Sequence, residues 1–295
     1  MTNWTEKFRM AGVYLFLGVM AFLSLFPFAW MVIGATNTSV DVTKGKFSLG
    51  TALLDNVAKL NKTFDMAQIF WNSGKIALLG GFATLMISSM AGYGFEVFSS
   101  KARERVYNGL LLTLMIPFAA LMIPLFILMA QFDLLDTHMG VILPALASAY
   151  IVFYFRQSTK AFPSELREAA RLDGLKEWQI FLFVYMPVMR STYAAAFVII
   201  FMTAWNNFLW PLIVLQSTEL KTITLVLSSL GSAYFPDFGV IMVAAVLATL
   251  PTSWCFLQCN GSSYRACWAP SNRVFLHANR YQARLGLDLS HFFFV

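Results

Sequence analysis

The chain has 295 residues, of which 58% are hydrophobic and 12% charged, with a net charge of +6 and a mean hydropathy of +0.65. So little polar material cannot cover a soluble globule of this length, which excludes an ordinary water-soluble enzyme or binding domain. The positive charge needs no nucleic-acid partner, because the distribution of Lys and Arg along the chain accounts for it.

Charge-free stretches long enough for a bilayer run, in chain order, Ala11–Ala35, Ile76–Phe95, Tyr107–Gln131, Met139–Phe155, Ser191–Thr218 and Phe238–Tyr264, against a need of about 20 residues per helix. They predict an all-α polytopic membrane protein with about six transmembrane helices. The first run is too long for a signal peptide and has no clean cleavage site after Trp30, so it counts as a span, kinked at Pro27. Thr222–Pro236 is also uncharged, but its Thr, Ser and Gly content suits an interfacial or re-entrant segment.

Orientation follows from the basic residues of short loops, which stay on the cytoplasmic side. Lys7 and Arg9 precede the first span, Lys101, Arg103 and Arg105 follow the second, and Arg156, Lys160, Arg167, Arg171, Lys176 and Arg190 lie between the fourth and fifth. The third loop has no Lys or Arg and the fifth only Lys221, so both termini are expected in the cytoplasm and Thr36–Asn72 outside. The organisation expected is a cytoplasmic tail over 1–10, a transmembrane domain over 11–252 with a cytoplasmic loop at 156–190, and an atypical tail over 253–295.

The cytoplasmic loop reads as two short helices. Pro163 and Ser164 begin the first, Glu165 and Glu168 suit the positive end of its dipole, and Gly174 closes it. A second helix starts at Lys176. Leu166, Ala169, Ala170 and Asp173 recur at helical spacing in the first, and Trp178, Phe181, Leu182 and Tyr185 in the second, so two faces are expected to project from the membrane. Small alanines beside acids suit a groove on another protein better than lipid headgroups.

The run Glu168-Ala169-Ala170-Arg171-Leu172-Asp173-Gly174, with Pro187 thirteen positions after the glycine, resembles the EAA loop of inner-membrane permeases of binding-protein-dependent ABC importers. Pro163 and Glu165, Asn72-Ser73, Pro124-Leu125, Leu134-Leu135-Asp136-Thr137 and Trp205-Asn206-Asn207-Phe208 extend the resemblance to the sugar permeases, of the type of the maltose transporter's smaller membrane subunit. Ser191 departs from it, where many relatives have a second proline.

The resemblance implies a multi-pass bacterial inner-membrane subunit of an ATP-driven sugar importer. It implies as partners a pair of cytoplasmic ATP-binding subunits, a second permease forming a heterodimer, and a periplasmic or lipoprotein sugar-binding protein. It also implies that Glu168, Ala169, Ala170, Asp173, Gly174 and Pro187 couple this chain to the ATPase, Glu168 pairing with a basic residue there. The chain has no Gly-rich phosphate loop of its own, so it binds no cofactor and ATP is used by the partner. The scattered His138, His277 and His291 make no catalytic or metal constellation, so no enzyme is expected.

Trp205, Asn206, Asn207 and Trp210 are the candidates for the substrate pathway, since amides and aromatic faces hold sugars; equally, Trp at an interface and Asn between helices are ordinary membrane features. An ion-coupled secondary transporter or channel is the alternative, disfavoured because none of the runs contains an ionisable residue. A membrane-embedded enzyme is a third class, for which no polar catalytic cluster is present.

All three cysteines, Cys255, Cys259 and Cys267, fall in the tail. With His277 they offer a metal site, but the first two lie where a membrane helix belongs. A frameshift in the underlying DNA fits better. Starting each codon at the third base of the present one, Trp254 through Asn272 admits an apolar run followed by a Gly-rich segment ending Gly-Ala-Val-Lys, similar to the family's usual ending. Two residues of that reading are forced, Leu from Cys267-Trp268 and Gly from Trp268-Ala269. On this reading 253–295 holds no functional information.

Overall fold

The computed structural model describes residues 4–255 and 257, with residues 4–8 described in backbone only. The described residues form helices joined by turns and loops, with no strand among them. In chain order the helices are α1 (Trp4–Ala35), α2 (Ser39–Thr43), α3 (Leu53–Thr63), α4 (Met66–Lys75), α5 (Gly81–Val97), α6 (Lys101–Thr113), α7 (Phe118–Gln131) and α8 (His138–Ile142). They continue as α9 (Ala149–Thr159), α10 (Ser164–Leu172), α11 (Glu177–Ile180), α12 (Met186–Val188), α13 (Arg190–Trp205), α14 (Leu209–Val214), α15 (Ile223–Gly231) and α16 (Phe238–Cys255). Four helical runs are long and apolar enough to cross a membrane, or up to six if each of two interrupted pairs is one span.

The expected spans change at several points. The second begins at Met66, not Ile76: the Asp65 side chain accepts from the Gln68 N–H and caps α4, which joins α5 through a π turn at Ile76–Gly80. This helix therefore encloses Lys75 and Glu96, and the fourth span reaches past Phe155 to include Arg156, so the spans are not free of ionisable residues.

The third span is interrupted between Thr113 and Phe118. Pro117 lacks the N–H that would bond Thr113, so the Ile116 N–H takes that carbonyl at 3.1 Å in a tighter turn. The fourth is interrupted between Ala145 and Ala149, after a 3-10 turn over Leu143–Ala145 that contains Pro144. The fifth stops at Trp205 and restarts at Leu209, where the expectation was one helix to Thr218. The segment Thr36–Asn72, expected as a loop, holds α2, α3 and the start of α4, and Thr222–Pro236 holds α15.

The chain divides into two compact units. One comprises the described parts of Met1–Ile76, Met122–Ile142 and Trp205–Thr252. In it the buried Asn37 donates to the Ile33 and Ser48 carbonyls, and the buried Asn56 to those of Ala35 and Asn37, fastening the end of α1 to α3.

The other comprises the described parts of Ala77–Leu121, Leu143–Ala204 and Ser253–Val295. Here α5 crosses α9 closely at Gly92, where a Cβ would lie 2.6 Å from that of Phe155 and 2.8 Å from the Arg156 nitrogen. Buried Ser88 and Ser89 continue this small-residue face, the kind that lets membrane helices approach. An aromatic cluster of Tyr93, Phe155, Phe162, Phe181, Tyr185 and Tyr193 packs beside it. At the same end Arg156 reaches Glu96 (3.2 Å) and Glu104 (2.7 Å) with its guanidinium 3.9 Å from the Tyr107 ring centroid, tying α5, α6 and α9 together.

Gly92→Val therefore forces the α5 and α9 backbones apart, at about 1–3 kcal/mol of overpacking, and lowers the thermal midpoint of the purified protein. Gly94→Ala, with nothing within 4 Å of the added carbon, leaves it unchanged.

Candidate functional site

The run from Ser164 to Pro187 forms one helical element followed by a second. The residue at the cap position of α10 is Pro163, which offers no side-chain bond, and Ser164 is already helical, so Ser164 does not cap. Glu165 lies in the first turn, as expected, whereas Glu168 lies beyond it. At the far end the Leu175 N–H bonds the Ala170 carbonyl and the Gly174 N–H that of Arg171, both at 3.0 Å, with Gly174 at φ +82°. This paired closure satisfies carbonyls that a helix end otherwise leaves without donors, and it demands a left-handed residue.

The second element is not the single amphipathic helix expected. It begins with α11, where the Gln179 side chain accepts from the Lys176 N–H at 2.8 Å, passes into a π turn over Phe181–Tyr185 and ends in α12, which contains Pro187. The extra residue per turn splits the expected face. Phe181 and Tyr185 are buried in the aromatic cluster, where Tyr185 shares a 2.6 Å hydrogen bond with Thr159, while Trp178 is 57% exposed. Half of the face expected to await a partner is thus spent on this chain's own core.

On α10 only Ala170 is buried, and Leu172 is 90% exposed. Its two arginines turn back to Glu177: Arg167 donates through Nε and Nη2 to Oε2 at 3.2 Å, and Arg171 through Nε to Oε1 at 2.5 Å. Burial pushes the Glu177 carboxyl up, but the bonds from Arg171 and Arg167 outweigh it and hold the group below the usual carboxylate range. With both cations engaged, the outward charges of this turn are Glu165, Glu168 and Asp173, all exposed, so the surface it presents is acidic.

The second candidate cluster lies at the break between α13 and α14. Asn206 and Asn207 occupy the break itself, where short amide side chains compete with the backbone for hydrogen bonds. Pro211 removes the N–H that would bond the Asn207 carbonyl, and Thr224 Oγ1 donates to that carbonyl at 2.9 Å. Trp205 and Trp210 are 4% and 3% exposed, and their indole N–H groups bond the carbonyls of Ala248 and Gly140, each at 3.0 Å. Gly140 is the residue whose carbonyl Pro144 leaves without a donor. The tryptophans are thus built into the helix packing, while Asn206 is exposed and Asn207 half-buried.

Nearby, the Gln216–Ile223 segment is held by residues noted in the sequence only for their resemblance. Asp136, itself left-handed at φ 55°, accepts from the Gln216 and Ser217 N–H groups at 2.8 and 2.9 Å and from the Ser217 hydroxyl. Asn72 donates to the Glu219 carbonyl at 2.7 Å, and Ser73 accepts from the Ile223 N–H at 2.8 Å. Among the described residues no group of His, Cys, Asp and Glu is placed to hold a metal; Cys259, Cys267 and His277 lie outside the described residues, as does nearly all of the 253–295 tail.

Residues 83–258, which include the whole of this helical loop, match the model of a family described as binding-protein-dependent transport system inner membrane component. The chain belongs to that family. Lactose transport system permease protein LacG of Rhizobium radiobacter is 64% identical over 239 residues, 81% of this permease and 88% of that protein. Arabinooligosaccharides transport system permease protein AraQ of Bacillus subtilis is 35% identical over 248 residues, 82% and 88% of the two chains. An sn-glycerol-3-phosphate transport system permease protein UgpE, from Agrobacterium fabrum, is 30% identical over 254 residues, 82% and 89% of the two. The fold is that of a chain in the crystal structure of a bacterial ABC transporter involved in the import of the acidic polysaccharide alginate, with a TM-score of 0.78 at 18% identity, covering 89% of this permease and 99% of that chain. The permease is accordingly an inner-membrane transport component and not an enzyme.

Two expectations follow for these sites. Gly174→Val strains the left-handed closure by about 1–2 kcal/mol and lowers transport at equal membrane abundance, whereas Gly174→Asn, which tolerates that conformation, retains it. Hydrogen bonds from the Ser217 hydroxyl, then the Ser217 and Gln216 N–H groups, hold the Asp136 carboxyl below its usual range. Its contribution is thus complete above the ordinary carboxylate value and is lost as pH falls through the lower folded one. The stability lead of the parent over Asp136→Ala, measured by thermal unfolding, is constant near neutral pH and shrinks as pH falls below the ordinary carboxylate range.

Proposed function

We propose that this permease is one of two different membrane subunits of an ATP-driven importer that carries a di- or oligosaccharide into the cell, with lactose as the first candidate cargo. The single observation that supports it most is α10, a short helix with an acidic, exposed outer surface closed by a left-handed glycine, in a chain 64% identical to a lactose transport permease. A cytoplasmic ATPase subunit, one of a pair, receives α10 in a cleft, with Glu168 against a basic residue and the exposed Ala169 allowing close approach, while the buried Ala170 seats α10 on this chain's own loop. Gly174 and Pro187 set the turns that bracket the element. Closure of the ATPase on ATP displaces α10, and the membrane helices behind it alternate access to a midplane cavity. A sugar-binding protein delivers cargo from outside. Within the membrane, Asn206 and Asn207 offer amides to sugar hydroxyls, while Trp205 and Trp210 fix the break that presents them. The basic loops at 101–105 and 156–190 face the cytoplasm, as do both termini, and the 253–295 tail derives from a frameshift.

The test is co-purification through an N-terminal tag. ATPase activity accompanies the parent and falls at least about tenfold with Glu168→Arg at equal membrane abundance, because a like-charge contact replaces a complementary one. Cells expressing the complete complex take up radiolabelled lactose. An intact parent that brings down no ATPase overturns the importer reading and moves a carrier acting alone to first place.

A further inference from the structure

The helix expected to receive the ATPase's motion is poorly anchored by apolar contact. Of the nine residues of α10 only Ala170 is buried, and the chain leaves it through the left-handed Gly174, around which nothing lies within 4 Å of a Cβ position. A helix held by so little would tilt between Pro163 and that turn when pushed, and less of its displacement would reach the membrane.

The connection that opposes such a swing is polar and aromatic. Glu177 offers one oxygen to each arginine of α10, Oε2 to Arg167 and Oε1 to Arg171. The Arg167 guanidinium also lies 5.1 Å from the ring centroid of Phe98, the residue that caps the C-terminal end of α5. The Phe98 ring meets Tyr93 of α5 edge-on at 6.2 Å, and Tyr93 packs at 5.3 Å on Phe181, just beyond α11. From the α5 end, Glu96 joins Arg156 of α9. Beside the backbone link through the buried Phe162, a side-chain path from α10 to the transmembrane helices thus runs through one guanidinium whose plane is fixed by Glu177 on its edge and by Phe98 on its face.

We propose that Glu177 is a positioning residue for transport: by clamping Arg167 against Phe98 it makes α10 and the cytoplasmic end of α5 one joint, so that movement of α10 is passed to the membrane helices. This rests on the importer reading, and neither Glu177 nor Phe98 contacts the ATPase in it.

The test uses the assembled complex with Cys255, Cys259 and Cys267 replaced by serine and a fluorescent label on Ser99→Cys, next to Phe98. Adding ATP changes the label's fluorescence in the parent. Glu177→Gln complexes that retain the ATPase hydrolyse ATP at the parental basal rate per complex, but the fluorescence change per complex falls about fivefold or more, within the usual span of coupling between sites. Phe98→Leu does the same, Phe98→Tyr retains the parental response, and the double variant Glu177→Gln, Phe98→Leu is no worse than either alone, as expected of residues acting as one unit. The inference is overturned if the label in the parent ignores ATP, if Glu177→Gln responds like the parent, if the two losses multiply, or if Glu177→Gln releases the ATPase, which would place Glu177 in docking instead. Absence of ATPase from the parent overturns the importer reading itself and this inference with it; retention of ATPase with an unaltered label response overturns this inference alone.

Discussion

In hydrocarbon every backbone carbonyl must find a donor, and this chain interrupts its membrane helices with prolines that each remove one. How those carbonyls are satisfied shapes the rest. Pro211 deprives the Asn207 carbonyl, and Thr224 supplies a hydroxyl; Pro144 deprives Gly140, and Trp210 supplies its indole N–H. Each repair reaches from one helical segment to another, so a local defect in a helix becomes a tertiary contact. The two tryptophans and the threonine are thereby fixed, and the amides at the break are left in the position where the helix is open.

The helical loop applies the same economy to charge. Arg167 and Arg171 would cancel the charges of Glu165 and Glu168 if they pointed outward, but both are drawn to Glu177. What remains outward is acidic, and the ions that give the element its stiffness are separate from those that give it its surface. The Arg156, Glu96 and Glu104 group does for α5, α6 and α9 what Glu177 does for α10. In each case one residue bridges two opposite charges from elsewhere, a geometry that needs no apolar face.

Much of this was legible in the sequence. The apolar runs, the spacing from Glu168 through Gly174 to Pro187 and the left-handed glycine are properties of local sequence, and the family match to 83–258 agrees with the resemblance drawn from them. The interruptions were not legible, because Pro27 and Pro124 lie within continuous helices while Pro117 and Pro144 break theirs. The repairs differ too, local at Pro117 and from the distant Trp210 at Pro144, which periodicity does not record. Trp205 and Trp210 read either as sugar-facing or as ordinary interfacial residues, because their partners Ala248 and Gly140 are distant in sequence. Glu177 escaped notice because its partners lie on the other side of a turn; a signal was present in two arginines one helical turn apart, followed by a glycine and then an acid.

The π turn at Phe181–Tyr185 adds a residue to a helix whose neighbours each advance by about 100°. Everything downstream, from Met186 to the start of α13, is therefore turned by roughly that angle relative to α11. A single-residue deletion inside Phe181–Tyr185 would restore regular winding without touching any charged side chain, yet would roll Tyr185 and Met189 off the aromatic cluster and bring formerly exposed residues onto it. In this segment the number of residues, as much as their identity, is a quantity that selection must preserve.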